Sequence, residues 1–176
     1  MRDKLKALSD LNSSLREPDE LGGVFLPRGA RERDDVVFLA EMPSLALPKN
    51  ANADRGQNFS ATARDQFFKD MLVKHGLAGV YVTDVVKARS EPRRPTKAEI
   101  LKWRPFLLDE LDIIKPKMVI VIGKRTYAVS FLPYILPFAG SELKHDYIFH
   151  YCSQVPRNKF ETRLVEVVLK FSLQVQ

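Results

Sequence analysis

Residues 36–44, VVFLAEMPS, join four consecutive apolar residues to a carboxylate and a proline. The apolar run Val36, Val37, Phe38 and Leu39 is β-branched and aromatic, and Asp34 and Asp35 precede it. A short run without a polar break reads as a strand buried on both faces, as strands of parallel sheets are. A carboxylate beside a strand end is costly to bury unless it is used or paired. In open α/β sheets ligands sit outside the carboxyl ends of the strands. Glu41 is therefore the first candidate for chemistry; the alternative is that it pairs with a nearby arginine or caps the next segment.

The chain has 176 residues, enough for one domain with a full core, residues 1–30 forming an N-terminal helix and connection packed on it. Lys and Arg number 28 against 22 Asp and Glu, a net charge of +6. A basic balance favours polyanionic partners such as nucleic acid. Cys152 is the one cysteine, so an internal disulfide, a Cys-based zinc site and an iron–sulfur cluster are excluded, which fits a reducing cytoplasm. The charged start, residues 1–6, has no apolar core behind it, so no signal peptide is expected. The longest uncharged stretch, residues 126–141, is too short and proline-rich to span a bilayer. The expectation is a cytoplasmic monomer, nucleoid-associated in a bacterium, with no metal and no cofactor.

Leucines 5, 8, 11 and 15 predict an amphipathic helix over 3–15. Residues 17–35, with two prolines and three glycines, read as an irregular connection, and 44–60 as a long loop of the kind that tends to carry function. A helix over 61–75 ends at Gly76. VYVTDVV, residues 80–86, is a second strand. Thr96 and Glu99 form a capping box that opens a helix to about Ile114, which Pro105 should kink or divide. Residues 117–122 and 146–151 read as third and fourth strands, and 160–174 as the closing helix. The alternation implies an α/β fold, a three-layer α/β/α sandwich on a four-stranded, mainly parallel sheet of order 2-1-3-4.

That topology gathers polar residues at one sheet edge: Glu41 after the first strand, Asp84 near the end of the second with Lys87 and Arg89 beyond, His150 on the fourth. Each has a structural alternative. Asp84 can bridge to Arg89 or cap a helix, and a lone His150 can be a satisfied core residue. Arg89, Arg93 and Arg94, between prolines, form a solvated turn or a phosphate contact. Phe59 in a polar loop is a plug on the core or a platform for stacking a base.

In order and spacing these residues resemble the uracil-DNA glycosylase superfamily, most closely its thermophile-type branch. Ala40-Glu41-Met42-Pro43-Ser44 resembles that branch's Gly-Glu-Ala-Pro-Gly after a strand. Residues 56–63, GQNFSATA, resemble its Gly-x-Pro-Phe-Val-Gly-x-Ala stretch, and 80–89, VYVTDVVKAR, its Val-Tyr-Ile-Thr-Asn-Val-Val-Lys-Cys-Arg strand. Pro95-Thr96-Lys97-Ala98-Glu99-Ile100 matches a Pro-Thr-x-x-Glu-Ile helix start. His150 with Pro156-Arg157-Asn158 resembles His-Pro-Ser-Pro-Arg-Asn, with a three-residue insertion. The likeness runs from about Val36 to the end of the chain. Among the departures, Met42 stands where other branches carry a water-activating Asp or Asn, Asp84 replaces a base-reading Asn, and the four cysteines of the iron–sulfur branch are missing.

The resemblance implies hydrolysis of the bond between C1′ and uracil or a related base in DNA, part of base excision repair, on a base flipped into a pocket. Phe59 would stack on the base, His150 would donate to pyrimidine O2, and Glu41 would position water or balance the sugar cation. Met42 would line the base site without chemistry. Lys87, Arg89, Arg93 and Arg94 would hold the DNA backbone, with Val155, Pro156, Arg157 and Asn158 at the DNA-facing loop. An ionised Asp84 would oppose uracil O4 acceptor to acceptor, which predicts weak excision of uracil near neutral pH, improved by acid or by Asp84→Asn. The alternative is a catalytically silent member that binds DNA or a partner protein.

Overall fold

A computed structural model describes residues 2–17, 19–26, 33–44, 58–59, 62–89, 94–140 and 142–174. Helix α1 (Arg2–Asn12) leads to strand β1 (Val24–Leu26) and strand β2 (Arg33–Ala40). Helix α2 (Ala63–Lys74), strand β3 (Val80–Asp84), helix α3 (Lys97–Ile114) and strand β4 (Met118–Ile122) follow. A π-helical turn (Thr126–Phe131) runs into short helices α4 (Leu132–Tyr134) and α5 (Leu136–Ala139), then strand β5 (Lys144–Ile148) and helix α6 (Arg157–Gln174).

The sheet order is β1-β3-β2-β4-β5. The four strands read from the sequence take the expected order, all parallel, and Ala40 pairs in register with Asp84. The count is corrected to five. Val24–Leu26, inside the segment expected to be irregular, adds an antiparallel edge to β3. Three residues after Gly22 and Gly23 are too few to show an alternating pattern. Gly23 is needed there: a Cβ on it would lie 2.3 Å from the Tyr81 hydroxyl.

Period-two alternation makes the core two-sided. Val36, Phe38 and Ala40 face a layer built by Phe68 and Leu72 of α2 and Phe160 and Leu164 of α6. Val37 and Leu39 face the other layer, with Leu8 of α1 and Trp103, Leu107 and Leu111 of α3. This is the three-layer α/β/α sandwich. Thr96 and Glu99 form the expected capping box, but α3 runs unbroken through Pro105. Pro105 is exposed, so water can take the carbonyl its missing N–H leaves free. On α6 the buried positions are Phe160, Leu164, Val167 and Phe171, with Val165 only half-buried.

Beneath the C-terminal end of β3 lies a buried polar network. The Tyr81 hydroxyl donates to Glu110 at 2.9 Å and Thr83 Oγ1 donates to the same carboxylate at 3.0 Å. Lys87 Nζ pairs with Glu110 and donates to Thr83 Oγ1 (2.6 Å) and to the Asp84 carbonyl (2.5 Å). Both members of the pair are fully buried. The lysine expected to hold the DNA backbone is therefore committed inside, where a free ammonium would be costly and Glu110 neutralises it.

Candidate active site

A cleft of about 620 Å³ opens at the carboxyl ends of β2 and β5. Glu41, Met42 and Pro43 line one side, Asn58 and Phe59 another, and His150, Tyr151 and Cys152 a third. Three segments distant in sequence thus meet at one edge of the sheet. Glu41, Met42, Phe59 and His150 are brought together in the cleft wall, and Asp84 is not among the lining residues.

Glu41 follows directly on β2, and its backbone carbonyl accepts from Val86 N–H at 3.1 Å, which ties the turn to the segment after β3. Its Oε1 accepts from Arg125 Nη1 at 3.2 Å. Burial raises the carboxyl above the ordinary glutamate range, while the charges of Arg125 and Arg94 act the other way. Arg94 is exposed and near enough for its charge to be felt at Glu41.

His150 is held as a neutral donor. Its Nδ1 accepts the Cys152 backbone N–H at 3.1 Å, so the neutral ring carries its proton on Nε2. Burial lowers its pKa, outweighing the charge of Asp65. The ring stacks on Tyr151 (centroids 5.1 Å apart), and Tyr151 lies flat on Phe68 of α2 at 4.8 Å. The Tyr151 hydroxyl donates to Asp65 Oδ1 at 2.8 Å, and burial beside that carboxylate raises its pKa far above the usual phenol. Asp65 also closes a capping box with Thr62 at the start of α2. The sequence reading missed Thr62, Asp65 and Tyr151. The signal was present: Thr62 and Asp65 stand three apart before an apolar run, an arrangement of capping-box type.

Phe59 is 6 % exposed, part of the core and of the cleft wall at once, with a left-handed backbone (φ 63°). A bulky residue in that region costs about 1 kcal/mol or more, and such strain concentrates at working sites. The residue before it, Asn58, is 2 % exposed and lines the cleft. Its Nδ2 donates to Asp84 Oδ2 at 2.8 Å and to the Gly22 carbonyl at 3.4 Å.

Asp84 itself is fully buried and is not part of the cleft wall. This corrects two expectations: its partner is Asn58 rather than Arg89, and its side chain is not among those that line the cleft, where Asn58 stands instead. Loss of solvation raises its pKa to about 7, against the opposing effects of Asn58 and Lys87. Asp84 Oδ1 has no partner among the described residues.

Of the cationic residues, Arg89 is half-buried and Arg94 is exposed, while Arg93 lies outside the described residues. Pro156, Arg157 and Asn158 are exposed where α6 begins, and Val155 is half-buried. The Arg157 guanidinium sits 4.9 Å from the Phe67 ring centre. A second hollow of about 230 Å³ behind His150 and Tyr151 is lined by Arg64, Val155 and Arg157, so this loop adjoins the main cleft. The four-thiolate iron–sulfur cluster of the resembled branch does not fit this chain, which has one cysteine.

An α/β/α sandwich with a carboxylate after one inner strand and a neutral imidazole donor after the next but one is built to stabilise opposite charges across one cleft. The chain belongs to the uracil DNA glycosylase superfamily, whose model matches residues 27–168. It is 29% identical over 112 residues to the type-4 uracil-DNA glycosylase of Archaeoglobus fulgidus, a match covering 61% of this chain and 52% of that protein. The chain thus spans about half the length of the curated relative it matches.

Proposed function

We propose that this protein hydrolyses the N-glycosidic bond of uracil or a related modified base in DNA. The observation that carries the reading is His150: its Nδ1 is occupied by Cys152 N–H, which leaves Nε2–H as a donor in the cleft that Glu41 also lines. The bond from C1′ to the base nitrogen breaks with its electron pair on the base. His150 Nε2–H stabilises the negative charge that develops on pyrimidine O2. Glu41 balances the positive charge on the sugar and orients the water that adds to C1′, with a proton passing to the carboxylate or to solvent. Phe59 supplies a ring in the wall against which the flipped base rests. Arg94 and Arg157 contact phosphates.

The test is incubation with oligonucleotides carrying uracil, hypoxanthine or other modified bases, followed by alkali to cut abasic sites. Cleavage by the parent, reduced about 10²–10³-fold in His150→Ala, is expected, the size of effect when one transition-state donor is lost. Absence of abasic sites across the panel refutes the reading. One observation favours a catalytically silent, DNA-binding or partner-binding member instead: Glu41 is held by Arg125, and its neighbour in the cleft is the thioether of Met42, a weak acceptor.

A further inference from the structure

We propose that Asn58 reads the edge of the base in this cleft, and that it reads with its carbonyl oxygen alone, so that the site selects bases offering an N–H donor there. The inference rests on the cleft being a base pocket. A primary amide presents two donors on nitrogen and an acceptor on oxygen. Both donors of Asn58 are used inward, on Asp84 Oδ2 and on the Gly22 carbonyl. Gly22 contributes a backbone carbonyl, which cannot donate whatever the protonation of Asp84, so the corner of the amide turned toward these two groups is the nitrogen. Oδ1 has no hydrogen-bond partner among the described residues, and the side chain lines the cleft.

The position on β3 at which the resembled branch reads a base with asparagine is Asp84 here, and Asp84 is covered. The amide that lines the cleft here is Asn58, on the loop beside Phe59 rather than on the strand. The change of support changes what is read. An asparagine with free donor and acceptor can serve O4 and N3–H of uracil together, whereas one clamped by two acceptors offers only Oδ1. Asp84 is in this scheme a positioning residue that sets the orientation of Asn58. Compatible edges carry an imino or amino N–H, as in uracil, hypoxanthine or cytosine. A base methylated at that nitrogen lacks the donor and sets a methyl group against the oxygen.

The experiment measures binding by fluorescence anisotropy to single-stranded oligonucleotides with one central 2′-fluoro-2′-deoxyuridine, a sugar that slows glycosidic cleavage, or its N3-methyl counterpart. The parent is expected to prefer the N3–H form by about five- to tenfold, the worth of one hydrogen bond. Asn58→Ala should bring the ratio close to one. Asp84→Asn, in which residue 84 can donate to Asn58 and let its amide turn, should lower the ratio, chiefly by weakening binding of the N3–H form. A parent that binds both oligonucleotides equally overturns the inference without any variant, so a poorly folded Asn58→Ala does not shield it. A ratio unchanged in folded Asn58→Ala also overturns it. Discrimination in binding without excision of any base would refute the glycosylase reading and leave this one standing; excision with a ratio indifferent to Asn58 would do the reverse.

Discussion

Replacing Asp84 by asparagine removes an ionisable group from the fully buried end of β3, and the structure fixes how stability should respond. Burial raises this carboxyl from 3.8 to about 7 in the folded chain. A carboxyl whose folded pKa is raised favours the folded state when protonated. Its contribution is fully present below the unfolded pKa and is lost as pH rises through the folded one. The window runs from about pH 4 to pH 7. The full difference of about 3 pH units corresponds to roughly 4 kcal/mol, and linkage over about pH 5 to pH 8 gives a loss of roughly 2–3 kcal/mol in the parent. Asparagine keeps an oxygen to accept from Asn58 and carries no charge, so that part of the pH dependence should vanish. Urea unfolding of both proteins at several pH values measures it, and the difference between the two curves cancels the other titrating groups. Parent and Asp84→Asn curves that run parallel from pH 5 to pH 8 would show that Asp84 is not held in the surroundings described.

Lys87→Met strands Glu110 as a buried carboxylate and should cost about 3–5 kcal/mol in urea unfolding, much of it restored when Glu110→Leu is added. Arg94→Ala with Arg157→Ala should weaken DNA binding for every sequence alike and reduce the slope of log affinity against log salt by about 2, measured by anisotropy titration; an unchanged slope would place both residues off the DNA. Gly23→Ala sets a methyl group against the Tyr81 hydroxyl and should lower stability by about 1–3 kcal/mol, read as a shift in the urea midpoint.

Much of the sheet was legible because its strands announce themselves. Residues 36–40, 80–83 and 118–122 are continuous apolar, aromatic or β-branched runs, and burial on both faces is what such runs require. Glu41, Phe59 and His150 were legible as cleft residues because a charge, an imidazole and a stray aromatic at strand ends or in a polar loop have few inexpensive places to go. Lys87 was not: in the sequence it opens a basic loop, and only the fold sets Glu110, 23 residues away, beneath it. Asp84 was read as facing a base because the resemblance sets it where that family carries a base-reading Asn, and a strand position gives direction but not depth. What covers it comes from the neighbouring Asn58, whose orientation depends on a backbone carbonyl at Gly22, and a carbonyl leaves no trace in side-chain pattern. The edge strand β1 escaped for the same reason, since three residues after two glycines carry no period.

The family match opens at residue 27, yet the polypeptide ahead of it supports a residue of the cleft wall and an edge of the sheet. Gly22 supplies the carbonyl that orients Asn58, Leu21 N–H caps the Lys87 carbonyl at 2.7 Å, and Val24–Leu26 closes the margin of the sheet along β3. A fragment trimmed to the homology boundary would bare the backbone of β3 as an unpaired edge, the kind of surface on which chains stack and precipitate. It would also remove the Gly22 acceptor from Asn58 Nδ2, leaving Asp84 as its one partner among the described residues. The start of the family match and the edge of the sheet therefore fall at different residues, and a fragment cut for expression or grafting should keep β1.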